Sequence, residues 1–454
     1  MIGIAIANSL GLNFLRGIFG PYKSRVEADG GVVEAGDCVD ATSDLLKTAS
    51  LLLIPSGYKS GKAYAEIPTN GNGDLTWVRG SSANRTNSSG NIELMASGVP
   101  RLSYMYGSCP ALLLEPQRTN SLRNSSMIGA STSPSTLPTN WASSLGGLTA
   151  TVVGVGTENG LPYIEVRLNG TAISTVTTIS FESNTQIVAS NGQTWTSSFW
   201  IKEISASAPP LTYRNTIVER DSVGTSLATT SQIITISSTL SRNSFTRTNT
   251  NASTARISVA FSATMNIGSS YDFTVRIASP QMELGAYSTT WINTTTAAAT
   301  RVADTFSRNN IYTNGLITSS GGTWFVELRG NLSLTRDSSD VGLFVGNSSN
   351  GTSGDVLAIR NNGTGRLSIT KRISGTQTGL YGTTTDTVKI AIKWNGSTAD
   401  VFVNGTKQVS ATSFTATNME FFNGSGEDVT KFIQAMGLFT TPQTDQFCQD
   451  ITTL

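Results

Sequence analysis

A chain of 454 residues exceeds what one ordinary core organises, and its 38% hydrophobic content suffices for two or three buried cores. Thirty-one basic against 30 acidic residues leave a net charge of +1, so no field steers the protein toward nucleic acid or an anionic membrane surface. Histidine is absent, which removes the commonest general base, triad partner and imidazole metal ligand together, while a Gly-, Ser-, Thr- and Asn-rich mix with 13% charged residues favours strands and turns over helices.

Residues 1–20 are apolar but are interrupted by Asn8, Ser9, Asn13 and Arg16, which makes a lipid-spanning helix costly. No basic residue precedes the apolar part and no small-x-small site follows it, so a signal peptide is not expected either. Two readings remain for this stretch: docking on a partner chain that covers its apolar side, or packing as a terminal element on its own domain. Next, Asp29-Gly30-Gly31 marks a turn, and Asp40 or Thr42 is placed to cap a helix running through Leu45, Leu46 and Ala49 to Leu53, with Pro55 ending it. The piece Gly57 to Lys62 lacks the Gly-Lys-Ser/Thr ending of a phosphate-binding loop.

From Asp74 to Asn120, short extended segments around Leu75, Trp77 and Asn91-Ile92-Glu93 are divided by turn-prone runs, and Pro100 and Pro110 bar a helix. Its charged residues are not expected to form a cluster, so the stretch reads as a connector whose side chains hold loops in place. Between Ser121 and Asp304, apolar strands alternate with polar turns at sandwich-like spacing: Ala150 to Val155, Tyr163 to Leu168, Trp195 to Ile201, Ile233 to Ile236, Ile257 to Phe261 and Tyr271 to Ile277. In the last of these, Tyr271, Phe273, Val275 and Ile277 share one face and Asp272, Thr274 and Arg276 the other. Trp195, Trp200 and Trp291 are read as core aromatics ahead of sugar-stacking ones.

Residues 305–454 give a second sandwich candidate. Its clearest hairpin has Val388, Ile390, Ile392 and Trp394 on one face, a turn at Asn395-Gly396, a return through Ala399 to Val403 and a second turn at Asn404-Gly405. The Ser/Thr/Pro-rich segment Leu122 to Pro138 and Thr294 to Ala299 are the linker candidates, and Asn-Gly dipeptides recur too irregularly for a solenoid. Cys38, Cys109 and Cys448 are far apart and odd in number, and read as buried thiols of a protein assembled under reducing conditions.

The order Arg79, Ser81-Ser82-Ala83, Gly90-Asn91-Ile92-Glu93, Val99-Pro100-Arg101, Tyr104 and Leu112 to Asn120 resembles a segment of tailed-bacteriophage virion proteins of the head-fibre and tail-fibre type. Ile54 to Lys62 extends that resemblance back to about Arg25. Pro280 to Gly285, Tyr287, Thr290-Trp291-Ile292 and Thr300 to Asp304 resemble the closing strand and exit of carbohydrate-binding-module-like jelly rolls. Lys393-Trp394-Asn395-Gly396 followed by Val401 to Gly405 is similar to concanavalin A-like lectin domains, without the Glu-x-Asp-x-Glu strand of the glucanases of that fold.

The expected fold is therefore mainly β: two antiparallel β-sandwiches, jelly-roll and concanavalin A-like, after a small, partly helical attachment region. The expected division is 1–120 attachment and connector, 121–305 first sandwich and 306–454 second sandwich. The resemblance implies a non-enzymatic virion structural protein, a head fibre, spike or capsid decoration. It would be assembled in the host cytoplasm, held on capsid or tail proteins through its N-terminal region, and would project sandwiches for weak multivalent adhesion to host-surface glycans. A homo-oligomer is expected, a trimer by resemblance to fibres, with no nucleic-acid partner and no membrane insertion. The alternative is a tail fibre or receptor-binding protein with glycan depolymerase activity through two carboxylates, for which Glu165, Asp272, Glu283, Glu327 and Asp400 are available but sit in no motif. No catalytic, cofactor-binding or metal-ligating residue is assigned and no cofactor is called for, while loop Asp and Asn side chains leave a calcium ion open.

Overall fold

The computed structural model describes residues 22–34, 43–207, 209–330, 332, 342–361, 366–374, 376–415 and 418–453, and its strands are of two kinds, alternately buried as in Leu75–Val78 or buried throughout as in Val356–Asn361. The fold is mainly β, in antiparallel sheets packed as sandwiches, with short helical pieces at residues 22–28, Ser43–Leu46 and Asp445–Thr452. The chain divides into two units, Arg118–Arg301 and Met1–Gln117 together with Val302–Leu454.

In the Arg118–Arg301 unit two sheets face each other. One has the order Ala142–Ser144, Val176–Ser180, Arg256–Thr264, Thr212–Arg220, Ser226–Ile233, with Ile187–Val188 beside Arg256–Thr264. The other has the order Leu148–Glu158, Leu161–Thr171, Ser270–Leu284, Thr194–Ser205, Ser241–Thr248. The face that alternation predicted on Tyr271, Phe273, Val275 and Ile277 is buried against Ile217, Val259 and Phe261 of the first sheet. Aromatic pairs fill this core, with Phe181 and Phe199 5.1 Å apart edge to face, and Tyr213 of the first sheet 5.9 Å from Phe273 of the second.

The unit's termini pair with each other, Arg118–Asn120 against Ala299–Arg301. The two stretches expected as linkers lie inside this unit. Leu122 and Met127 are buried in its core, Asn124 donates to the Ile128 and Thr139 carbonyls, and Ser125 hydrogen-bonds Thr294. Ser and Thr here satisfy buried backbone, which composition alone does not distinguish from solvated linker. Ile234 to Ile236 also leave the strand they were expected to form, since Ser226–Ile233 ends at the first of the run.

The second unit is made of strands from both ends of the sequence. Its ten-stranded sheet places Leu75–Val78 beside Thr305–Asn309, and its eight-stranded sheet places Ala111–Leu114 and Leu51–Leu53 beside Lys431–Phe439. The N-terminal region expected to stand apart as 1–120 thus shares sheets with the sandwich expected at 306–454. The reason is that its apolar strands Leu51–Leu53 and Ala111–Leu114 are buried on both faces and need neighbours on either side. Leu51–Leu53, expected as helix, is strand for that reason, and the helix stops at Leu46. The capping positions proposed for it, Asp40 and Thr42, and the docking stretch 1–20 lie outside the described residues.

The hairpin read from sequence is present, with Val388, Ile390, Ile392 and Trp394 buried and its turns at Gly396 (φ +81°) and at Asn404-Gly405 (φ +48° and +77°). Trp324 and Phe306 meet Phe422 edge to face between the sheets. The outer face of the eight-stranded sheet, with Phe325, Ala391, Phe402 and Phe439, is covered by Cys448 and Ile451 of the helix Asp445–Thr452.

Contrary to the expectation from sequence, charged residues of the connector do form a cluster. Arg79 donates to Asp304 at 3.0 Å, Arg101 donates to Glu115 at 2.6 Å and also to Asp304, and the Glu115 backbone N–H donates to Asp304 at 3.0 Å. All four side chains are fully or almost fully buried. Sequence separation hid this, since Asp304 is more than 180 residues from its three partners. Cys109 is disulfide-bonded, which corrects the free-thiol reading, while Cys448 is a buried free thiol whose pKa burial pushes up to about 12.

Candidate functional site

The strand Thr212–Arg220 sets the site. Tyr213, Asn215, Ile217 and Glu219 point into the core of the Arg118–Arg301 unit, so Arg214, Thr216, Val218 and Arg220 line the opposite face. Register then builds rows across the sheet. Arg214 lies beside Ser262 and Ser262 beside Thr178, Thr216 beside Ala260 and Ala260 beside Ser180, and Val218 beside Ser258. Because Ser and Ala dominate the middle of each row, the sheet face is hollow along its centre, leaving a groove of about 700 Å3.

Eleven of the eighteen lining residues carry hydroxyls, whereas none is aromatic and none is Asp or Glu. The groove can therefore donate and accept hydrogen bonds along its length. It offers neither a stacking platform nor a carboxylate to transfer a proton.

The two lining arginines are held at its ends. Arg214 donates from Nε to Thr264 Oγ1 at 3.1 Å and from Nη1 to Ser231 Oγ at 3.4 Å. Arg220 donates from Nε to Ser258 Oγ at 2.7 Å and from Nη1 to the Gly224 carbonyl at 2.9 Å, and its burial lowers the guanidinium pKa from the ordinary value. Thr216 and Ser262 share a 2.7 Å hydrogen bond in the floor. Beneath the Arg220 end, buried Glu219 accepts from Thr254 at 2.6 Å, from the Asn251 N–H at 2.9 Å and from Arg247 at 2.9 Å. Burial pulls its carboxyl upward, but these donors outweigh it and hold the pKa down at about 2, fixing the neighbouring loop.

The residues singled out from sequence lie elsewhere. Trp195 and Trp291 are buried, their indole N–H groups donating to Gln193 and Ser125, and Trp200 is half-buried under Arg242 at 4.5 Å. The available acids are not brought together. Glu165 is held by Arg276, Asp272 by Arg167 at 2.8 Å, and Glu283 accepts from the Thr289 N–H and hydroxyl. Glu327 lies 3.9 Å from Lys389 and Asp400 3.0 Å from Lys407. Among the described residues no three His, Cys, Asp or Glu side chains gather as metal ligands, and no helix is long and apolar enough to cross a membrane.

The class defined by this geometry is an antiparallel β-sandwich protein with an open, hydroxyl-lined groove on one sheet. No protein-family model and no curated protein matches the chain. Several solved structures show a slight likeness, three of them as follows. The enzymatically active domain of tailspike protein 4 of bacteriophage CBA120 is 17% identical at TM-score 0.26, covering 37% of this chain and 21% of its own. Domain 4 of AbnA, a GH43 extracellular arabinanase from Geobacillus stearothermophilus, in complex with arabinotriose, is 13% identical at TM-score 0.27, covering 35% and 77%. A CBM4 structure is 18% identical at TM-score 0.24, covering 36% and 100%. This chain thus spans about a fifth of the tailspike domain's length.

Proposed function

We propose that the chain is a non-enzymatic structural protein of a tailed-phage particle, a head fibre, spike or capsid decoration. Its N-terminal region would anchor it on other virion proteins, and its sandwiches would present a weak glycan-binding surface to the host. The observation that carries the adhesive part is the groove on the Ala142–Ser144 to Ser226–Ile233 sheet, whose hydroxyl floor matches the donor and acceptor pattern of sugars. The absence of lining carboxylates supports binding over hydrolysis, because glycoside cleavage uses two of them flanking the bond.

The virion assignment rests on the resemblance of the Arg25 to Asn120 segment to phage structural proteins; the solved-structure likenesses are too slight to add weight. A homo-oligomer, with a trimer preferred, would convert weak single sites into useful avidity.

The direct test is binding of the full chain to a panel of bacterial-surface and plant glycans, alongside an Ala260→Trp variant that fills the groove floor. Wild-type binding that disappears in the variant is the expected result; binding that survives it would place the site elsewhere. Electron microscopy of the intact assembly locates the chain, and its absence from a phage particle would end the virion reading.

A further inference from the structure

Within the Arg118–Arg301 unit, several arginines face a carboxylate: Arg123 meets Glu182, Arg167 meets Asp272, Arg247 meets Glu219 and Arg276 meets Glu165. Arg214, Arg220 and Arg256 differ. Among the described residues their hydrogen bonds go to hydroxyls and carbonyls, with Arg256 donating to the Thr185 and Ala255 carbonyls at 2.9 and 3.0 Å. All three belong to the groove sheet, and Arg220 and Arg256 are direct cross-strand partners on one face. No acid lines the groove beside Arg214 and Arg220.

A half-buried guanidinium without an anion is costly, and arginine's planar fork is suited to carboxylate or sulfate oxygens. Arg214 and Arg220 are six residues apart on one strand, which at about 3.4 Å per residue separates the groove ends by roughly 20 Å. That span calls for an extended chain with acid groups along it. The hydroxyl floor between the ends suits its neutral ring faces and hydroxyls.

We infer that the groove binds an acidic oligosaccharide, with Arg214 at one end and Arg220 at the other receiving its carboxylate or sulfate groups, and Thr178, Thr216 and Ser262 contacting its hydroxyls. This rests on the glycan-binding reading proposed above and narrows its substrate class. Nucleic acid is a poorer fit, because the groove has no aromatic on which bases stack.

The test is titration calorimetry of the full chain with tetragalacturonate, its methyl ester, sulfated dextran, plain dextran and poly-dT. Binding of either acidic chain at least tenfold tighter than its neutral counterpart supports the inference, and the tighter of the two acidic chains identifies which acid group is preferred. An Arg214→Gln/Arg220→Gln variant with an unchanged melting curve is expected to lose about tenfold or more, as removal of charge-assisted hydrogen bonds implies. Arg220→Lys keeps the charge without the fork and should lose less, and Thr178→Asp, which leaves both arginines in place, should weaken acidic chains selectively.

Neutral and acidic chains bound equally, with the arginine variants unaffected and Ala260→Trp blocking both, would overturn the inference while leaving the glycan-binding reading intact. No binding to any sugar would remove both. Poly-dT bound more tightly than every sugar would overturn the acidic-glycan assignment.

Discussion

Asp304 is the residue on which the buried charge cluster of the second unit converges, since it accepts from both Arg79 and Arg101 and from the Glu115 backbone. Removing it leaves two guanidiniums in the interior with one carboxylate between them. Asp304→Ala should therefore cost about 3–5 kcal/mol, read as a fall in the denaturant midpoint of that unit; a change within error would show that the arginines are solvated. Glu66 is the opposite case, a buried carboxyl with Ser56 Oγ as its donor at 3.2 Å. Burial raises its pKa from 4.5 to about 7, with the Ser56 hydrogen bond acting weakly against it. The folded form therefore holds its proton more tightly than the unfolded one, so stability is greatest in acid and declines as pH rises from about 4.5 through 7. The interval corresponds to about 3 kcal/mol. Urea midpoints at pH 5 and pH 8 should differ accordingly in the wild type, and Glu66→Gln should flatten that part of the dependence.

At the scale of elements, the helix Asp445–Thr452 shields one face of the eight-stranded sheet, and its start is capped by Thr444, whose hydroxyl accepts from the Phe447 N–H at 3.1 Å. Thr444→Ala should cost about 1 kcal/mol. Ile451→Ala, which opens a cavity over Phe325 and Phe402, should cost about 3 kcal/mol by thermal or chemical melting. If both substitutions are silent, the helix does not hold down the sheet. Strands with an apolar face, such as Ser270–Leu284 and Thr387–Trp394, were legible in the sequence because alternation marks them. Thr212–Arg220, Ser226–Ile233 and Ser241–Thr248 were not, since their outer faces carry Ser, Thr and Arg and their inner faces few large apolar residues. The groove is built on two of these three. Its one signal was the period-two order Arg214, Thr216, Val218, Arg220, which becomes informative only once the strand is known.

For the whole molecule, the proposed oligomer predicts a mass of about three chains by light scattering at high concentration, following from the fibre resemblance and the avidity weak sites need; a lone monomer would count against both. The sandwich architecture was readable from turn spacing and hydrophobic alternation. The sharing of sheets between residues 1–117 and 302–454 was not, because pairing partners such as Ser50 and Leu438 are 388 positions apart and nothing local announces them.

That interleaving dictates an order of events on the ribosome. The strands Leu51–Leu53 and Ala111–Leu114 emerge long before their neighbour Lys431–Phe439. Arg118–Arg301 closes on its own termini and can mature while synthesis continues, as domains generally fold as units. The leading segment must wait with its leucines uncovered. Stalled nascent chains extended far enough past Arg301 for that residue to clear the ribosomal exit tunnel should accordingly yield a protease-resistant fragment covering 118–301, while the residues before it are digested and recruit chaperones.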